Sequence, residues 1–464
     1  MIKKINSKNK TYCNIKLKTL LTTIIMTGSF SCLAELISSE QVIKDITYLA
    51  ADDLKGRASF SPEIDQAANY IAKRFADIGL KPMQTTNSSS NLMVNSSLSA
   101  AVAPSLFLQR FTVSQIQPKT LQVVLNDNEI SADNLAIAST IAALNWQLGK
   151  AESHIVGKDD DIRKTLAKLN QHGGQHLVLV NSAHAKTFKA YQGYFNRGLT
   201  KISLEHRGAI VMVLNDDSEI KNFTVNASAE ITEQSLTNVV GVLPGKNAKE
   251  IVLYSSHYDH LGTTADGKKI YNGADDDASG TTAVINLAQY YAEKGNNQRT
   301  LMFSAFTAEE IGGFGSKYFS EQINPDDVVA MINIEMIGKP SKFGAGTVWM
   351  TGMERSNLGA LLNEKLSPLN RKIYQDPYPE QGLFYRSDNA TLARLGVPAH
   401  SFSSTQLDKD EHYHKVSDDI NSLDLSSMHK VIESLATATQ SLIDGSVTPT
   451  RIDKAQVIEK GKIY

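Results

Sequence analysis

The sequence predicts an α/β fold: a mixed central sheet with helices on both faces, carrying an inserted α+β domain. Three observations support this. From Asn238 onward, apolar strand-like runs alternate with helical stretches, the pattern of a sheet covered on both faces. Residues 39–83 read as helical. Between them, from Leu106 to about Glu233, short strand-like runs dominate, among them Leu121 to Leu125, His176 to Val180 and Ala209 to Leu214. At 464 residues the chain exceeds one ordinary core, since a domain averages about 100–200 residues. A hydrophobic content of 41% supports full cores, and a net charge of −2 offers no broad attraction to nucleic acid or an anionic membrane.

Taken in order, the chain opens with a basic stretch, Lys3, Lys4, Lys8, Lys10, Lys16 and Lys18, followed by an apolar run from Leu20 to Phe30. Cys32-Leu33-Ala34 then puts small residues at the two positions that matter for cleavage. This is the layout of a secretory signal peptide, 1–34, cut after about Ala34, and it predicts an exported protein, periplasmic or extracellular. The run is short for a spanning helix. Clustered lysines disfavour a buried amphipathic helix, and Ser29-Phe30-Ser31 makes a poor lipobox, so a lipid anchor at Cys32 ranks lower. Both cysteines, Cys13 and Cys32, fall in this segment. The mature chain would therefore hold no disulfide and no thiolate ligand, leaving His, Asp and Glu to bind any metal. No later stretch is long and apolar enough for stable membrane insertion.

The stretch from Glu63 to Leu80 carries Ala67, Ala68, Ile71, Phe75 and Ile78 at helical spacing, with Gly79 near its end, and reads as a helix. Thr85 to Pro104, rich in Ser, Asn and Thr, reads as a loop. The middle stretch shows no dense cluster of His and carboxylates and reads as the inserted domain, 85–235, between two parts of a catalytic domain, 35–84 and 236–445. Within the second part the expected elements are a strand Ile251–Ser255, a helix Ala278–Lys294, a strand Thr300–Phe306, a helix Gly315–Gln322 and a strand Val328–Ile334. The last residues, 446–464, are polar and read as a loose tail.

Four clusters carry candidate chemistry, each beside a blander reading. His257-Tyr258-Asp259-His260 follows the first of these strands, where a carboxylate can fix the tautomer of a ligand histidine, or a polar strand end simply satisfies it. Gly273-Ala274-Asp275-Asp276-Asp277-Ala278-Ser279-Gly280 sets three carboxylates together. Capping of the next helix explains one or two of them; a cation would explain three. Ala308-Glu309-Glu310-Ile311-Gly312 ends the second strand, as a solvated turn or as neighbouring carboxylates with separate roles. Glu335 ends the third, where an unpaired buried carboxylate would be costly. The other half of this split fourth group, Glu411-His412-Tyr413-His414 with Asp418 and Asp419, lies far downstream, where a His-rich loop is often only a surface loop. Ligands sit at the carboxyl ends of strands in such sheets, and His with carboxylates and no cysteine suits zinc or another divalent cation.

The stretches SSHYDHLG, NGADDDASGTTAV, FTAEEIGGFGS, INIEMIG and YHKVSDD resemble, in order and spacing, metallopeptidase family twenty-eight, the co-catalytic two-zinc aminopeptidases; the resemblance covers 238 to about 440. It implies the zinc aminopeptidase (phosphorylase/hydrolase-like) fold and two zinc ions per chain. His257 and Glu335 would complete one metal's shell, Glu310 and His414 the other's, and Asp276 would bridge them. Asp259 would orient His257, and Glu309 would be the general base acting on a water held between the metals. Many members have Asp where Glu335 stands. By the same resemblance, Tyr385, Arg386, Ser387 and Asp388 lie near the substrate pocket, although Ser387 or Asp388 would also serve to cap a helix over Ala390–Leu395. The middle stretch loosely resembles a protease-associated domain. The expected activity is hydrolysis of amino-terminal residues from peptide substrates, with no nucleic-acid partner. A carboxypeptidase or dipeptidase on the same scaffold, a glutaminyl cyclase relative, and a non-catalytic binding protein of the same fold rank below it.

Overall fold

The computed structural model describes residues 37–83, 102–458 and 461–464, which belong to one compact unit, Leu36–Tyr464. The segment 1–34 and most of the loop expected over 85–104 lie outside the described residues. In chain order the main elements are α1 (Ser39–Leu49), α2 (Pro62–Ile78), β1 (Leu108–Leu125), β2 (Leu135–Ser139), β3 (Glu152–Val156), α3 (Ile162–His172), β4 (Gln175–Val180), α4 (Ala185–Phe195), β5 (Ala209–Leu214), β6 (Phe223–Leu243) and β7 (Asn247–His257). They continue through α5 (Gly280–Lys294), β8 (Arg299–Phe306), α6 (Phe314–Glu321), β9 (Val328–Ile334), β10 (Val348–Met350), α7 (Leu358–Leu366), β11 (Ile373–Gln375), α8 (Asn389–Ala393), β12 (Ala399–Ser403) and α9 (Leu425–Ala438). Helix α2 begins where Ser61 Oγ accepts from the Ile64 amide and stops at Gly79, whose φ of 86° suits glycine.

The large sheet runs β11-β10-β12-β9-β7-β8-β6-β1. Its centre is parallel: β7 lies between β8 and β9, and β9 pairs with β12. β6 adds antiparallel to β8, and β10 antiparallel to β12, so the sheet is mixed. Alternate residues of β7 face opposite layers, as strand geometry requires. Val252 and Tyr254 join the core beneath α1, α2, α5, α7 and α9. Ile251 and Leu253 join the core beneath α6 and α8. Burial on both faces is why these strands read as continuous apolar runs.

β1 and β6 are 18 and 21 residues long and pair antiparallel from Leu108↔Val239 to Leu125↔Phe223. Their far ends pack against a second, four-stranded sheet, β2-β5-β4-β3, built from the middle stretch. The carboxyl-terminal residues differ from the loose tail expected. Ile452 and Val457 are buried in the core beneath α6 and α8, and Ile463 is buried beside α3 and α4. Asn170 Oδ1 accepts from the Ile463 and Tyr464 amides at 2.8 and 2.9 Å, and its Nδ2 donates to the Tyr464 carbonyl at 2.8 Å. Apolar residues scattered singly among polar ones left no periodic signal for this packing.

Candidate active site

The parallel strands end together, and their ends carry the candidate residues. His257 is the last residue of β7. Its Nδ1 lies 3.1 Å from the main-chain carbonyl of Asp259. A carbonyl only accepts, so Nδ1 donates to it, and Nε2 faces Asp276 Oδ1, 3.2 Å away. The carboxylate of Asp259 stands 3.7 Å from the ring. It accepts instead from the amides of Glu309 and Glu310, at 3.1 and 3.3 Å, and so holds the turn after β8 in place. The Asp259 main chain thus anchors the His257 ring, while its side chain holds the neighbouring turn.

The three consecutive aspartates have three surroundings. Asp275 accepts from the Gly338 amide and Thr405 Oγ1, at 2.7 and 2.6 Å, and pairs with Lys339 at 3.3 Å. Asp277 accepts from the amides of Gly280 and Met336, both at 3.0 Å, and so caps α5. Asp276 faces the other candidates. Besides His257 on Oδ1, its Oδ2 lies 3.2 Å from His414 Nε2. Burial would raise the Asp276 carboxyl, but His257 and His414 hold it well below the usual range. Burial pushes Asp277 well above it.

Glu310 lies 3.3 Å from His414 Nε2 and 2.8 Å from His260 Nδ1. His260, Asp276 and Glu310 offer donor atoms within 4.8 Å of one another. His260 ends the first cluster but carried no expected role. Burial, with Glu335, Asp388 and Glu310 adding to it, raises Glu309 well above its ordinary value against the pull of His257. Burial pushes Glu335 up to about 7, with His257 pulling the other way.

Asp418, noted in the fourth cluster without a role, and Arg57, not noted at all, support the site. Asp418 accepts from the amides of Asp275 and Asp276 at 3.1 Å. Arg57, fully buried, donates to the carbonyls of Tyr258 at 2.8 Å, Asn272 at 2.6 Å and Gly273 at 3.0 Å, and also to that of Leu49. No local signal marks Arg57, which lies 201 residues before its partner Tyr258.

Several buried atoms converge here without an aligned hydrogen bond, His257 Nε2, both ring nitrogens of His260, Glu310 Oε1 and Glu335 Oε2, although His260 Nδ1 and Glu310 Oε1 lie within ion-pair distance. Such atoms are costly unless something binds them. Their imidazole and carboxylate chemistry fits zinc.

Beside Glu335 opens a pocket of about 180 Å³ lined by Trp349, Leu383, Arg386, Ser387 and Tyr413. A wider cleft of about 890 Å³ runs past Glu309, Glu310, Tyr385, Arg386 and Ser387. Ser387 Oγ accepts from Asn333 at 2.8 Å. Asp388 is buried, lines neither cavity and makes no side-chain cap to α8.

Residues 238–439 match the model of peptidase family M28. The chain is 25% identical over 279 residues to leucine aminopeptidase 1 of Neurospora crassa, covering 58% of this chain and 67% of that one. It is 26% identical over 201 residues to leucine aminopeptidase 1 of Chaetomium globosum, covering 41% and 49%. The chain thus spans about half to two thirds of the length of these curated relatives. Two solved structures share the fold: an aminopeptidase from Aneurinibacillus sp. strain AM-1 (TM-score 0.52, 19% identity, 91% of this chain and 97% of that one), and BSAP, a zinc aminopeptidase from Bacillus subtilis (TM-score 0.53, 15% identity, 92% and 99%).

Proposed function

Since residues 238–439 match the model of peptidase family M28, we propose that this protein is an exported zinc aminopeptidase that removes amino-terminal residues from peptides. The observation that carries the reading is Asp276, whose two carboxylate oxygens each face a different histidine, His257 and His414, at 3.2 Å. A carboxylate so placed suits two cations. His257 and Glu335 would hold one zinc ion, Glu310 and His414 the other, and Asp276 both. When bound, the two ions supply Lewis acidity, polarising the scissile carbonyl and acidifying water.

The chain's own groups do the rest. Glu309 takes the proton of the attacking water and passes it to the leaving amine. Asp259 holds Glu309 in register through the amide it accepts from. The substrate's free α-amine, a cation, is drawn to the acidic set, which favours the amino end. Its side chain enters the pocket beside Trp349 and Leu383, where apolar surface suits apolar residues. The basic and then apolar amino terminus supports export to the periplasm or the medium.

The test is hydrolysis of free-amine peptides, their amino-acetylated forms and their carboxy-amidated forms by the purified chain, with zinc counted on the same sample. About two zinc ions and loss of cleavage on acetylation alone are expected. Loss on amidation instead would make it a carboxypeptidase, and bound zinc without cleavage would favour a binding protein.

A further inference from the structure

We infer that the face of the small sheet shared by β3 and β4 is a second, separate site for a divalent transition-metal ion, with Glu152, His154 and His176 as its ligands. The sequence shows no dense cluster here because the residues come from two strands; pairing brings them together. Glu152 and His154 are two apart on β3 and so point to one face. β3 pairs parallel with β4 in a register that sets Glu152 opposite His176.

The geometry is that of converging lone pairs. His176 is 1% exposed, and its Nε2 lies 2.8 Å from the Gly173 carbonyl. That carbonyl only accepts, so Nε2 carries the proton and Nδ1 presents a lone pair. Main-chain anchoring of the far nitrogen is how proteins prepare a histidine for a metal. His176 Nδ1 lies 3.1 Å from His154 Nε2 and 3.4 Å from Glu152 Oε2, and the third separation, His154 to Glu152, is 3.8 Å. A single proton on His154 would bridge only one of these pairs. Zinc bonds of about 2.0–2.2 Å place tetrahedral donors about 3.4 Å apart, and the three separations centre on that value. Two imidazoles and a carboxylate suit Zn²⁺, Co²⁺, Ni²⁺ or Cu²⁺ rather than Ca²⁺ or Mg²⁺. Glu152 is exposed, which leaves a fourth position for water. β3 is the edge of its sheet, and a bound ion would staple that edge to β4.

The test uses metal-free full chain equilibrated with Zn²⁺ alone. Zinc per chain and peptide hydrolysis are measured for the wild type, Glu152→Gln and His154→Ala, both of which alter side chains that reach solvent. Each variant should bind about one ion fewer than the wild type while hydrolysing peptides at the wild-type rate. With Co²⁺ as the probe, the variants should lose one component of the visible absorption. Equal zinc in all three proteins overturns the proposal. Because the count is taken independently of hydrolysis, failure of the peptidase reading would leave this difference intact.

Discussion

At the scale of single residues, the site separates groups that hold charge from groups that move it. Glu309→Gln removes the proton acceptor but none of the proposed ligands. Zinc content should stay unchanged while kcat falls by about 10²–10⁴, the usual contribution of a general base; metal analysis beside steady-state kinetics checks this. Asp276→Asn should do the reverse and reduce bound zinc, because one carboxylate serves both positions. His400, whose ring nitrogens meet the Thr351 carbonyl and Ser356 Oγ, sets a pH limit on stability. Burial holds its imidazole down at about 4 from an ordinary 6.5. Between those values the unfolded chain binds the extra proton, so stability is full above about 6.5 and lost as pH falls toward 4. The full loss is about 3 kcal/mol at 1.36 kcal/mol per unit. Thermal unfolding of the wild type and His400→Asn across that window should show a shallower pH slope in the variant.

At the scale of elements, the amino end of α5 and the carboxyl-terminal strap each depend on one small residue. A Cβ on Gly280 would strike the Ile334 carbonyl and the Asp277 carboxylate that caps α5. Gly280→Ala should cost about 1–3 kcal/mol, the usual toll of overpacking, and should weaken zinc binding by displacing the aspartate run. Asn170→Ala removes three hydrogen bonds to Ile463 and Tyr464. It should cost about 1–3 kcal/mol in denaturant unfolding, with the site's zinc content unaffected. The turn after β8 is strained, since Ala308 takes a φ of 60°; hydrogen bonds from Glu309 and Glu310 to Asp259 hold it there.

At the scale of the whole molecule, Arg57 ties distant segments into one site. It joins the end of α1, the residue after β7 and the loop before Asp276 through four carbonyls. Arg57→Met should destabilise the fold by about 3–5 kcal/mol, the range for breaking a buried charged network, and reduce zinc binding with it. The sequence by itself determined the central strands and their helices. β9 spans Val328–Ile334 as its apolar run foretold, because a strand buried on both faces has no choice but to be apolar throughout. It also determined which clusters would meet, since ligands gather where parallel strands end. Only the tertiary structure decided what each member of a cluster does. Asp275, Asp276 and Asp277 are chemically identical in the sequence, and their different partners come from Lys339, His257, His414 and Gly280. The same holds for Arg57, for the packed carboxyl terminus and for the His154–His176 pair. Each depends on contacts between residues far apart in the chain or on neighbouring strands, and neither periodicity nor local spacing records which distant residues a fold will bring together.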